Sequence, residues 1–221
     1  IDRATTLIFF FTVHDALPFY TDAQTDTEVR VLRLEERVRR ARGALASGGD
    51  GEDYSAWRGE VHVTPVATLY KKIRFYTREN VGAGDIHLPP EELDTEAFVL
   101  TLSDESADEL GLVGGNRGAA WRADGELLRR VAPLFVRCQP SDLGLSSHVR
   151  SPHFGRPTLF LYDRVQGGGG RGELLYAAHR DLLAAALDVV QRGSCETGCP
   201  ACVGPTAEGG PLGKEMTERL L

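Results

Sequence analysis

The sequence predicts an α+β fold: a β-rich N-terminal half packed with a helical C-terminal half that four cysteines close. Three observations carry this. Residues 1–110 hold continuous or alternating apolar runs broken by Gly, Pro and Asp turns. Residues 111–221 hold two stretches with apolar residues at three- and four-residue steps, the period of a helix. Three of the four cysteines then fall within Cys195-Glu-Thr-Gly-Cys199-Pro-Ala-Cys202, with Cys138 upstream. At 221 residues the chain is long enough for a real core. Its halves, 1–110 and 111–221, are expected to be subdomains of one region.

The elements follow in order. Residues 6–13 form a fully apolar strand. Residues 27–34 carry Val29 and Val31 at period two. Residues 35–46 turn charged and fit a short helix or a continuation of that strand. Residues 46–53 read as a loop tip. Residues 59–64 and 67–77 are strands, with Pro65 marking a bulge or edge between them. In the second, Leu69, Lys71, Ile73 and Phe75 share one face and Tyr70, Lys72, Arg74 and Tyr76 the other. Aromatics interleaved with cations can stack on bases and touch phosphates. A cross-strand ladder covering the sheet is the simpler account of that face. The Leu88-Pro89-Pro90 segment is an extended break before a strand at 97–102. Residues 103–109 are an acidic loop or helical turn, and the glycine-rich 111–118 ends an element. A helix follows over 119–131, with Ala120, Ala123, Leu127 and Val131 near one stripe and Gly125 weakening it. Pro133 interrupts it before the short apolar segment 134–138. Residues 158–162 are a strand, Gly167–Gly170 a loop, and 173–192 the strongest helix, striped by Leu175, Ala178, Leu182, Ala186 and Val189. Gly193 stops it, and the cysteine cluster begins.

Clustered thiolates with Gly198 and Pro200 between them are how a chain wraps zinc, whose closed structural sites take four ligands in a tetrahedron. Disulfides fit less well, because no signal peptide precedes a chain that is too large for a small secreted scaffold. A redox Cys-x-x-Cys pair opens a helix in a βαβ unit, whereas this cluster follows one. Cys195, Cys199 and Cys202 are therefore expected zinc ligands. The fourth is Cys138, or else His179 or His153.

Other chemistries are poorly supported. The loop 163–172 lies between a strand and a helix, where phosphate-binding loops occur. It matches neither the Walker nor the dinucleotide pattern, so a tight turn is the favoured reading. Arg164 and Arg171 remain candidates for touching a backbone phosphate. Asp142 and Asp163 read as cap or turn formers. No nucleophile elbow, paired-carboxylate motif or ATPase motif appears, so no catalytic residue is assigned. No apolar run approaches the ~20 residues of a membrane span. The free thiols suggest the cytoplasm. The net charge of −7 argues against strong autonomous binding to nucleic acid. Beginning at Ile1 and entering a strand almost at once, the chain is expected to be a fragment of a longer protein.

Several stretches together resemble the C-terminal zinc-binding region of MrfA-type superfamily 2 DNA helicases. They are residues 61–75, 88–98, Pro133-Leu-Phe-Val-Arg-Cys138-Gln-Pro-Ser-Asp-Leu-Gly144, the strand at 159–163 with its glycine loop and long helix, and Cys195-Glu-Thr-Gly-Cys-Pro-Ala-Cys-Val-Gly-Pro205. The similarity runs from about residue 18 to 205. That family comprises ATP-dependent repair helicases related to the RecQ4-like enzymes. The resemblance implies a C-terminal accessory region that engages single-stranded or forked DNA with the motor lobes of the same polypeptide and helps unwind a duplex in DNA repair. ATP and Mg2+ would belong to the missing motor, and the parent to a bacterial cytoplasm, associated with the nucleoid. It also implies that Cys138, Cys195, Cys199 and Cys202 hold a structural Zn2+. Many relatives place another Cys two residues before Cys195, where this chain has Gly193. The glycine loop lacks the relatives' Pro-Gly-Gly form, which leaves its role open. A scaffold subunit of a phage-defence complex with a degenerate motor is the alternative. An independent thiol redox enzyme fits least.

Overall fold

The computed structural model describes residues 19–40, 54–74, 77, 79–86, 88–89, 91–109, 115–199, 202–203 and 213–221. The strand expected over 6–13, the loop over 46–53 and Tyr76 lie outside these residues. The strands are β1 (Phe19–Arg40), β2 (Tyr54–Arg74), β3 (Asn80–Asp85), β4 (Leu93–Leu102), β5 (Leu143–His148) and β6 (Thr158–Asp163). The helices are α1 (Asp104–Glu109), α2 (Gly115–Val131), α3 (Pro133–Val136), α4 (Arg171–Ala177), α5 (His179–Arg192) and α6 (Gly213–Leu220), with a 3-10 turn at Pro140–Asp142. This is the mixed α and β architecture that the sequence predicts.

The chain divides into two compact units, residues 1–27 with 65–91 and residues 28–64 with 92–221. β4 pairs antiparallel with β6, Ala97 opposite Tyr162 through Thr101 opposite Thr158. In the smaller unit the far end of β2 pairs antiparallel with β3, from Leu69 opposite Asp85 to Ile73 opposite Asn80. In the larger unit the sheet runs β1-β2-β4-β6-β5.

Strand alternation explains the two sides of that sheet. Phe98, Leu100 and Leu102 of β4 and Leu159 and Leu161 of β6 face a core with Trp121, Leu127, Leu128, Leu175, Leu182 and Val190 from the helices. Ala97, Val99, Phe160 and Tyr162 face the other way, onto Val29, Val61 and Val63. The central strands are thus buried on both faces, so the Thr-Leu-Phe-Leu-Tyr run of β6 is apolar without a break. Each fully buried large side chain contributes about 1.5–3 kcal/mol relative to exposure.

Several expectations need correction. The strands expected over 59–64 and 67–77 are, as far as Arg74, one strand, β2. Pro65 lies between its pairing with β4, which ends at Val63, and with β3, which starts at Leu69, so its missing N–H interrupts neither ladder. Of the two readings of 35–46, continuation of the strand holds over 35–40, which extend β1. Residues 115–118 start α2 rather than ending an element. Gly125 does not merely weaken α2: a Cβ there would come within 2.9 Å of Leu159 and Leu145, so it marks close packing of helix on sheet. The long helix expected over 173–192 is two, broken where Ala178 leaves helical geometry (φ −95°, ψ 7°), and Val190 rather than Val189 completes its buried stripe. Of the two readings of the acidic 103–109 segment, the helical one holds: 104–109 form a helix begun by Ser103, whose Oγ accepts from the Ser106 N–H at 3.0 Å.

Candidate metal centre

The cluster begins where α5 ends. Gly193 turns out of the helix (φ −64°, ψ 129°) while its N–H still bonds Val189 O. Gly198 takes φ 129°, in the region that favours glycine, and turns the chain between Cys195 and Cys199. The Cys202 N–H then donates to Cys199 O at 3.0 Å, and the Cys199 N–H points at Cys202 Sγ at 3.2 Å. These turns bring the three sulfurs within 4.8 Å of one another. Cys195 Sγ lies 3.4 Å and Cys199 Sγ 3.6 Å from Cys202 Sγ. A tetrahedral zinc with Zn–S near 2.3 Å sets its sulfurs about 3.8 Å apart. Two sides of the triangle are therefore a few tenths of an ångström short of that sulfur–sulfur edge, and the donor set fits the metal. All four cysteines are free thiols.

The surroundings suit thiolates. Lys214 of α6 donates to Gly193 O at 2.6 Å and to Cys195 O at 2.7 Å, and Arg130 of α2 donates to Cys202 O at 3.0 Å. The two cations fasten both ends of the loop and set positive charge beside it. Hydrogen bonding with Cys202, then partial burial and hydrogen bonding with Cys199, push the Cys195 thiol up from its ordinary value. Zinc would take the place of those protons. Neither Lys214 nor Arg130 carried a motif, and no sequence signal marked them.

The candidates for a fourth ligand are placed elsewhere. Cys138 lies outside the three-cysteine group, beside Arg171 with Asp142 and Asp163 near; burial pushes its thiol up against the pull of Arg171. His179 opens α5 while the cluster follows its end, about 20 Å away for a 14-residue helix. Its Nδ1 lies 2.6 Å from Tyr176 O. His153 packs edge-on against Phe154 and lines a separate cavity with His62 and His148.

The glycine loop is filled from within. The Asp163 side chain is fully buried, and its carboxylate accepts from the Gly169 N–H at 2.7 Å, the Arg171 N–H at 3.3 Å and Arg171 Nη1 at 2.8 Å. A carboxylate of the chain thus takes the place a phosphate would take at the start of α4. Asp163 is the turn former its position suggested, and Asp142 closes a capping box with Gln139. Arg171 points inward to Asp163, whereas Arg164 is exposed.

On β2, Tyr70 lies over Gly84, where a Cβ would come within 2.8 Å of its ring. Lys72 Nζ sits 6.0 Å from the centroid of that ring, and Arg74 pairs with Glu79 at 3.2 Å. These three side chains cover the β2–β3 ribbon as cross-strand neighbours.

Residues 125–203 match the MrfA Zn-binding domain family. The chain is 33% identical over 193 residues to the ATP-dependent helicase YprA of Bacillus subtilis (strain 168), covering 86% of this chain and 24% of the relative. It is 29% identical over 77 residues to MJ1572.1 of Methanocaldococcus jannaschii, covering 34% of this chain and 69% of that protein. Among solved structures, the DUF1998 helicase MrfA bound to DNA aligns with a TM-score of 0.64 at 29% identity, over 92% of this chain and 25% of that one. A second structure of MrfA aligns at 0.57 with 26% identity, over 90% of this chain and 24% of that one. The chain thus spans about a quarter of the length of the helicases it matches. Three sulfurs arranged to hold zinc thus lie inside the segment, residues 125–203, that matches the MrfA Zn-binding domain family.

Proposed function

We propose that this chain is the zinc-fastened accessory region of an ATP-dependent DNA helicase and helps its motor hold single-stranded or forked DNA during unwinding in repair. The observation that carries the reading is the likeness over 92% of the chain to a helicase crystallised with DNA. Zinc would supply no reaction step. Held by the cysteine thiolates, it would fix the loop after α5, while Lys214 and Arg130 hold that loop to α6 and α2. ATP and Mg2+ act in motor lobes of the parent polypeptide, in the cytoplasm at the nucleoid. Among the described residues, no helix is long and apolar enough to cross a membrane.

Lys72 and the exposed Arg164 are the cations we assign to the DNA backbone; Arg171, held by Asp163, is assigned to the fold instead. With a net charge of −7, the chain alone should bind a labelled single strand weakly, and anisotropy should show binding falling as salt rises. Each backbone cation removed, as in Arg164→Ala, should flatten the log–log salt slope by about 0.7. Tight binding that ignores salt, or no binding even at low salt, would refute the reading.

A further inference from the structure

The position of Cys138 is fixed by what stands on either side of it. Arg137, just before it, is the one non-glycine residue with a positive φ (47°) among the described residues. Gln139, just after it, is locked by the capping box in which its N–H donates to Asp142 at 2.9 Å. Between these two constraints the thiol is directed to Arg171, which Asp163 holds at 2.8 Å. Cys138 thus stands beside the Arg171–Asp163 pair and outside the three-cysteine group. Meanwhile the sulfurs of Cys195, Cys199 and Cys202 lie within 4.8 Å of one another, and among the described residues no other His, Cys, Asp or Glu joins them. Gly193 lies alongside: a Cβ there would sit 3.7 Å from Cys195 Sγ, so this position sets no side chain over that sulfur.

We propose that zinc in this chain is held by three protein thiolates, Cys195, Cys199 and Cys202, with its fourth position taken by an exchangeable small donor, and that Cys138 belongs to the Arg171–Asp163–Asp142 network. The proposal rests on the zinc-binding reading of the cluster. A zinc with three protein ligands keeps a position that water or an outside donor can enter, whereas a four-cysteine site is closed. The metal here is therefore reachable by a free imidazole or thiol.

Cobalt replacing zinc in the full chain reads the ligand set through its visible and thiolate-to-cobalt bands. Added imidazole should shift the visible bands of the unmodified chain in a saturable way. Cys138→Ser should bind one metal and overlay the unmodified spectrum. Gly193→Cys, at a φ that any residue adopts, should raise the thiolate-to-cobalt band by about one third, as a fourth thiolate joins three, and abolish the imidazole response. A spectrum of the unmodified chain that is blind to imidazole would overturn the proposal, and this needs no variant to fold. So would a Cys138→Ser chain that folds but loses about a quarter of the band or the metal itself. An unmodified chain that takes up no metal would overturn the zinc reading and the proposal with it.

Discussion

Removing the Asp163 carboxylate should cost this fold more than any exposed ion pair it contains. The side chain is fully buried and receives three hydrogen bonds, two from backbone N–H groups and one from Arg171. Bonds to a charged group are each worth about 1.5–3 kcal/mol, but they do not add when they share one acceptor. The larger quantity is the charge left behind in Asp163→Ala. Removing one partner of a buried pair costs about 3–5 kcal/mol. Arg171 keeps some access to solvent, its side chain 24% exposed, and has a weak second partner in Asp142 at 3.9 Å, which holds the expectation to that range. For a chain of this size 1 kcal/mol moves Tm by about 2–4 °C, so the metal-loaded variant should melt roughly 6–20 °C lower. Urea unfolding at unchanged slope should give the same loss. Asp163→Asn keeps an acceptor for the Gly169 N–H without the charge and should fall between. In a double-mutant cycle with Arg171→Met, the double variant should lose less than the sum of the singles. A Tm within about 2 °C of the unmodified chain would show that the carboxylate neither holds the glycine loop nor neutralises Arg171.

Cys199→Ser should release the metal and unfold at least the C-terminal half, because metal affinity in such sites is folding free energy; retained zinc content and Tm would defeat the structural role. Asp124 is fully buried in α2 with Oδ1 unpartnered, and burial raises its pKa to about 8. The folded state then keeps a proton that the unfolded chain gives up near pH 4, so stability should fall as pH rises from about 4 through 8. Asp124→Asn should remove that part of the slope in denaturant titrations across this window, and a variant whose pH profile overlays the unmodified chain would rule it out. Gly144→Ala would drive a Cβ into the buried ring of Tyr162 and should destabilise by about 1–3 kcal/mol in urea unfolding; a neutral or stabilising result would mean that β5 and β6 are less tightly packed than described.

The three-cysteine centre was legible because it is local. Eight residues with Gly198 and Pro200 among them can fold their sulfurs onto one ion whatever the rest of the chain does. The same holds for Asp142 and Asp163, whose partners lie three to eight residues away. Cys138 was the hard case. Pairing it with the cluster depended on where a strand, a loop and two helices carry the chain, and spacing says nothing of that. The glycine loop could be read as a tight turn because its glycines are visible in the sequence, but the carboxylate that fills it is visible only once Asp163 is seen to turn inward.

By itself the sequence determined the alternating strands, the helical stripes and the clustering of three thiols, since each follows from periodicity or from spacing shorter than a turn or two. The tertiary structure decided which face each central strand buries, that α4 and α5 part at Ala178, that Lys214 and Arg130 fasten the metal loop, and that Cys138 faces Arg171. These are contacts between residues far apart in the chain. They are fixed by the one packing that buries both faces of β4 and β6 together, and no local pattern encodes that packing.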